Sequence, residues 1–176
     1  YSTYPTPNAT NAPKLTDITA IGDVHLNEIF PISTMDGSAA PDGEWVEFYN
    51  AGTTSVDLNG WSIIDGMGNV TYLDPGTIVV NSSQGSTMID AAERRLVEFT
   101  GETRLWDNHN HIVVRDASGS IVDMGFYTTN YGPDVSLIRG QQYHDPWTPS
   151  ISPSPGQPEP TPTPTTGDVR ITEVLP

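Results

Sequence analysis

The sequence predicts an all-β sandwich or barrel, and three observations predict it. Short apolar runs with two-residue alternation recur through the middle of the chain. Clusters of Gly, Asp, Asn and Pro separate them at regular intervals. No segment keeps a helical period for more than a few residues. A chain of 176 residues suits one domain plus tails. The hydrophobic share of 35% is low, because Pro, Thr, Ser and Gly gather at the two ends and leave the middle apolar enough for a core.

The elements follow in order. Val24 to Phe30 alternates, with Val24, Leu26 and Glu28 expected on one face and His25, Asn27 and Ile29 on the other. Glu44 to Tyr49 alternates again, with Val46 and Phe48 set against Glu47. Ser55 to Ile64 reads as a strand carrying Val56, Leu58, Trp61 and Ile63. Asp65 to Asn69 is a turn into Val70–Leu73, and Asp74-Pro75-Gly76 is a turn into Thr77–Val80. Ile89 to Leu96 is the one helical candidate: Asp90 can cap a run of good helix formers, enough for a single turn at the sandwich edge. Leu96–Phe99, Ile112–Val114, Ile121–Tyr127 and Val135–Arg139 are the later strands.

The organisation is a linker over 1–21, a sandwich over 22–158, a Thr/Pro linker over 159–166 and a further strand over 167–176. The linker belongs to a longer tract, SPSPGQPEPTPTPTT, whose alternating Thr and Pro favour an extended, semi-rigid path. The last segment, GDVRITEVLP, repeats the first strand, GDVHLNEIFP, 145 residues later. Gly, Asp, Val, Glu and Pro coincide, and Leu26/Ile171, Ile29/Val174 and Phe30/Leu175 are conservative pairs. Two readings follow. Val169, Ile171, Val174 and Leu175 form an assembly strand given to a neighbouring copy, or they open the next repeat of a tandem array.

The net charge is −15, with seven Lys plus Arg, a field that repels nucleic acid and anionic membranes. No stretch reaches the roughly 18 apolar residues of a membrane-spanning helix. With no cysteine, disulfides, thiolate zinc sites and Cys nucleophiles are excluded. Sequons occur at Asn8, Asn69 and Asn81. The start at Tyr1 is read as a leader removed or a start trimmed. Together with the Thr-Pro tracts, these features predict a secreted or cell-surface protein.

Several motifs now fall in one order. Asn27-Glu28-Ile29, the run Glu44 to Asn50, and Val56-Asp57-Leu58-Asn59-Gly60-Trp61-Ser62-Ile63 followed by Asp65 are joined by three more. These are Leu105-Trp106-Asp107-Asn108, Gly119 to Asp123, and Ser154-Pro155-Gly156-Gln157-Pro158. Over about residues 22–158 the chain resembles the lamin tail domain family. The resemblance implies an immunoglobulin-like β-sandwich, here with Pro/Thr-rich linkers and an extra C-terminal strand. It also implies a module of secreted and surface proteins in bacteria and archaea, without a catalytic centre of its own. Independently of it, Leu58 and Trp61 supply core area, Gly60 permits a tight path beside the indole, and Trp45 reads as a second packing residue.

His109 and His111 have the spacing of two ligands on one strand face with Asp107 close by, yet also read as the polar entry to a strand. Asp65, Asn69, Asp74, Asp107, Asp116 and Asp134 are oxygen-rich turn residues; calcium is conceivable, but Asp and Asn favour turns for their own backbone reasons. No metal or cofactor is therefore expected. Tyr143 and Trp147, near the linker, are expected to be exposed and are the candidates for a glycan platform. Glu44 and Glu47 sit on opposite faces of one strand and cannot flank one substrate bond. No nucleophile elbow or phosphate loop occurs. The expected function is a non-enzymatic extracellular structural module that polymerises with copies of itself. A glycan- or protein-binding module, or an accessory domain of a secreted protein, is the alternative.

Overall fold

In the computed structural model, the residues described are 23–34, 43–80, 83–99, 105, 110–139 and 147–158. They contain thirteen strands and no helix. In chain order these are β1 (Val24–Phe30), β2 (Glu44–Asn50), β3 (Val56–Asp57), β4 (Ser62–Ile64) and β5 (Val70–Tyr72). Then come β6 (Ile78–Val80), β7 (Ser83–Gln84), β8 (Met88–Ile89), β9 (Arg94–Phe99) and β10 (Asn110–Arg115). The last are β11 (Ile121–Tyr127), β12 (Ser136–Ile138) and β13 (Thr148–Ser150). A seven-stranded sheet has the order β13-β12-β1-β2-β9-β6-β7; a four-stranded sheet runs β11-β10-β4-β5; β3 and β8 make a small ribbon. All pairings are antiparallel, as expected of strands joined by short turns.

The main core lies between the two larger sheets. Leu26 and Ile29 of β1, Val46 and Phe48 of β2, Ile63 of β4 and Ile112 and Val114 of β10 meet there. Each large side chain removed from water contributes about 1.5–3 kcal/mol. Leu58 and Trp61 join the same core, but not from a continuous strand. Between β3 and β4 the chain turns: Trp61 N donates to Leu58 O at 3.0 Å, and Gly60 takes a φ of +79°, open to a residue without Cβ. The segment from Ser55 to Ile64 is therefore two short strands either side of that turn, which drives the indole inward.

The first strand departs from simple alternation. Leu26 pairs with Phe48 and Glu28 with Glu47, so Asn27 is an extra residue in a β-bulge. The slip turns Leu26 and Ile29 to the same core and sends Glu28 to the opposite, outer face. The expectation that Leu26 and Glu28 share a face fails for this reason.

The helical turn expected over Ile89–Leu96 is also absent. Ile89 ends β8, Ala92 adopts a φ of 62°, and Glu93 N closes a turn onto Asp90 O at 3.0 Å. From Arg94 the chain is a strand paired with β2 on one side and β6 on the other. Burial of Leu96, Val97 and Phe99 and the two ladders outweigh a helix propensity of a few tenths of a kcal/mol per residue.

Candidate functional site

The outer face of the seven-stranded sheet carries two carboxylates that the protein has taken fully out of water. Glu28 and Glu47 are cross-strand neighbours, and both residues have 0% exposure. Glu47 Oε1 accepts from Asn27 Nδ2 at 2.7 Å, and Oε2 accepts from the Gly156 N–H at 2.6 Å. Glu28 accepts from the Ser154 hydroxyl at 2.9 Å and from the Ser154 N–H at 3.2 Å. Arg94 Nε lies 3.2 Å from Glu47, while its guanidinium covers the Tyr49 ring at 4.5 Å. Burial pushes the Glu47 carboxyl up to about 8, with nearby Glu28 adding to the rise; the Gly156 N–H, Asn27 and Arg94 pull the other way without prevailing. The contact with Arg94 thus joins a cation to a carboxyl whose ionised form burial disfavours. Beside this pair, Trp45 stacks on Phe30 at 5.2 Å and packs with Leu96, so the sheet is buried on both faces. The arrangement is an anchor: two buried acids hold Ser154 to Gly156, from which the Thr/Pro tract departs.

A third buried acid ties the two sheets together. Asp123 of β11 accepts from the Leu26 N–H of β1, from Met124 N and from Arg139 Nη2, each at 2.7 Å. Burial raises the Asp123 carboxyl and the Arg139 charge lowers it, burial being the larger effect. Arg139 in turn stacks on Trp147 at 4.7 Å. Trp147 is therefore half-buried against the core rather than exposed. Its indole edge lies close against Gly125, where an added Cβ would come within 3.1 Å. The expectation of a free aromatic platform at Trp147 is corrected by this packing. Tyr143 lies outside the described residues.

The other sequence-predicted residues are spread over the fold. Trp45 is buried on the outer face, while Leu58 and Trp61 are buried in the main core. Asn69 is exposed in its turn, where its Nδ2 donates to Asp65 Oδ2 at 2.8 Å. Asn8, Asn81 and the segment holding Val169, Ile171, Val174 and Leu175 lie outside the described residues, as do Asp107 and His109. The acidic turn residues stand apart, each bonded within its own neighbourhood. Asp65 accepts from Met67 N and Asn69 N, Asp74 from Gly76 N, Asp116 from Ser118 N and Ser120 N, and Asp134 from Thr34 N. Hydrogen bonds from Ser118 and Thr34 hold Asp116 and Asp134 below the usual carboxylate range. No group of three or more His, Cys, Asp or Glu poised for a metal occurs among the described residues.

Sequence reasoning missed the three buried acids. The signal for Glu28 was present, since the repeated strand keeps it as Glu173. Glu47 and Asp123 are each flanked by apolar neighbours on both sides, a weaker sign. The lamin tail domain family model matches residues 18–129, well over half of the chain. No curated protein matches it.

Proposed function

The chain belongs to the lamin tail domain family, and from that premise we propose that it is a non-enzymatic structural module of the cell exterior that joins copies of itself through residues 167–176. The observation that carries the reading is the repeat seen against the fold. The positions retained are those that β1 uses: Val24, Leu26 and Ile29 in the core, Phe30 on the outer cluster and Glu28 at the anchor. Their counterparts are Val169, Ile171, Val174, Leu175 and Glu173. A segment with that pattern is built to lie in a sheet. The buried acids support the reading further, because they fix the point from which the linker leaves. The acidic surface, the sequons and the Thr-Pro tract favour the cell exterior.

One observation favours a second reading, in which 167–176 opens a following domain of the same polypeptide. Glu28 binds the closing Ser-Pro-Gly segment through Ser154, and Glu173, its counterpart, would do the same for such a segment that follows or that a neighbour supplies. Native mass by light scattering, with negative-stain microscopy, separates the two. The full chain is compared with a chain stopped at Gln157, which keeps both anchored residues. Long assemblies for the full chain and monomers for the short one are expected. Equal monomers for both refute assembly and leave the tandem reading.

A further inference from the structure

The sheet edges are not equally available. In the seven-stranded sheet, edge strand β13 carries Pro149, which has no N–H to offer, and β7 at the other edge has two residues. At the β11 edge of the four-stranded sheet, Met124 N donates to the Asp123 carboxylate and Met124 O accepts from Arg139 Nη2 at 3.4 Å. Among the described residues, strand β5 has no such cover apart from one side-chain contact at Tyr72. Leu73 N donates to Trp61 O and Asp65 N to Asn69 O, which sets the phase of the β4–β5 ladder. Residues 69, 71 and 73 therefore bond inward, and Val70 and Tyr72 direct their N–H and C=O groups away from β4. The Tyr72 carbonyl receives a 3.3 Å contact from the Thr77 hydroxyl.

The side chains at this edge are apolar and wet. Val70 is 44% exposed, Tyr72 66%, and Met67 in the adjoining turn 63%. They extend an apolar row across the outer face of the sheet, in which Val70 pairs with Ile64, Ile64 with Val113 and Val113 with Met124. A bare edge beside such a row is the arrangement that accepts an added strand.

We propose that β5 is the acceptor for residues 167–176 of a second copy of the chain; this rests on the assembly reading above and names the surface it uses. The donor cannot take the place of β1 without breaking two ladders, since β1 pairs with β2 and β12 on its two sides and its Leu26 and Ile29 are fully buried. An edge needs no such displacement. In an extended strand Val169 and Ile171 share a face at the two-residue spacing of Val70 and Tyr72, so they continue the apolar row. The anchor holds Ser154 and Gly156 on the outer face of the opposite sheet. Donor and acceptor thus belong to different faces of one molecule, a heterologous contact that propagates head to tail.

The test uses the full chain. Val70→Pro removes an outward N–H that the β4 ladder does not use, and Val70→Lys puts a charge on the edge; thermal melting checks that each folds. Each should raise the concentration needed for association about tenfold or more, the loss of one factor of ten in affinity. Because the chain has no cysteine, mixed Tyr72→Cys and Ile171→Cys chains should form an intermolecular disulfide faster than Phe126→Cys and Ile171→Cys chains. Association of folded Val70→Pro and Val70→Lys chains at the wild-type concentration overturns the acceptor and leaves the assembly reading standing. A full chain that stays monomeric at every concentration sinks the assembly reading itself. A Tyr72→Cys/Ile171→Cys double variant that closes within a monomer overturns the second copy as donor.

Discussion

Raising the pH should loosen this fold in a window where most carboxylates are silent, and Glu47 sets the size of the effect. Its carboxyl titrates near 4.5 in an unfolded chain and near 8 in the folded one. The folded state therefore holds more protons than the unfolded state between those values, and stability falls as pH rises. The contribution is complete below about pH 4.5 and lost on passing through about pH 8. Linkage over that shift gives a loss of about 2–3 kcal/mol between pH 6 and pH 9, a sizeable share of the roughly 5–15 kcal/mol that holds a domain together. The assay is urea unfolding of wild type and Glu47→Gln across this range. The amide copies the neutral acid and has no proton to lose, so the variant should match wild type below about pH 4.5, lead it by about 2 kcal/mol at pH 6 and widen that lead by pH 9. Asp123, also raised, contributes in the same sense to both proteins and cancels in the comparison. Parallel curves for the two proteins would refute the argument, because they would mean that Glu47 is already ionised in the fold.

Three further outcomes are expected. Asp123→Ala leaves Arg139 buried without its counter-charge and the Leu26 N–H without its acceptor, and should cost about 3–5 kcal/mol in urea unfolding. The two turns with positive φ should respond in opposite directions. Gly60→Val forces a β-branched residue to a φ of +79° and should destabilise by about 1–3 kcal/mol, whereas Ala92→Gly at +62° should stabilise by up to about 1 kcal/mol, read as shifts in melting temperature. Trp147→Ala should lower the melting temperature, since it strips the cover from Arg139 and opens space beside Gly125; an exposed platform residue would leave it unchanged.

Much of this fold was legible because its signals are local. Turn residues such as Asp65 and Asp74 bond their own backbone and declare themselves in sequence, and the alternation in Val46 and Phe48 marks a core face. The errors arise where a distant partner decides. Asp90 to Leu96 has the residues of a helix, but its conformation is settled by β2 and β6, strands far away in sequence. The bulge at Asn27 shifts the phase of β1 by one residue, and only the three-residue step between the buried Leu26 and Ile29 hints at it. Glu47 counts as a solvated charge in any compositional reading; what buries it is Ser154 to Gly156, more than a hundred positions onward. Trp147 looked exposed because it stands beside a linker, and Arg139 with Gly125 covers it.

The bulged first strand and the two buried acids also define how the domain would carry tension. The chain enters at β1, and Ser154, near where it leaves, is bonded to Glu28 on that same strand. A pull applied between the two ends of the domain meets this short bridge before it reaches the four-stranded sheet. The force passes from Glu28 and Glu47 into β1 and β2, which lie in the interior of the larger sheet and share the load with β12 and β9. A row of such modules in series would transmit stretch along this seam of each sandwich. Loss of the Glu47 proton would lower the stability of the whole domain through burial of the charge, while the Gly156 N–H and Asn27 hold the carboxylate the more tightly.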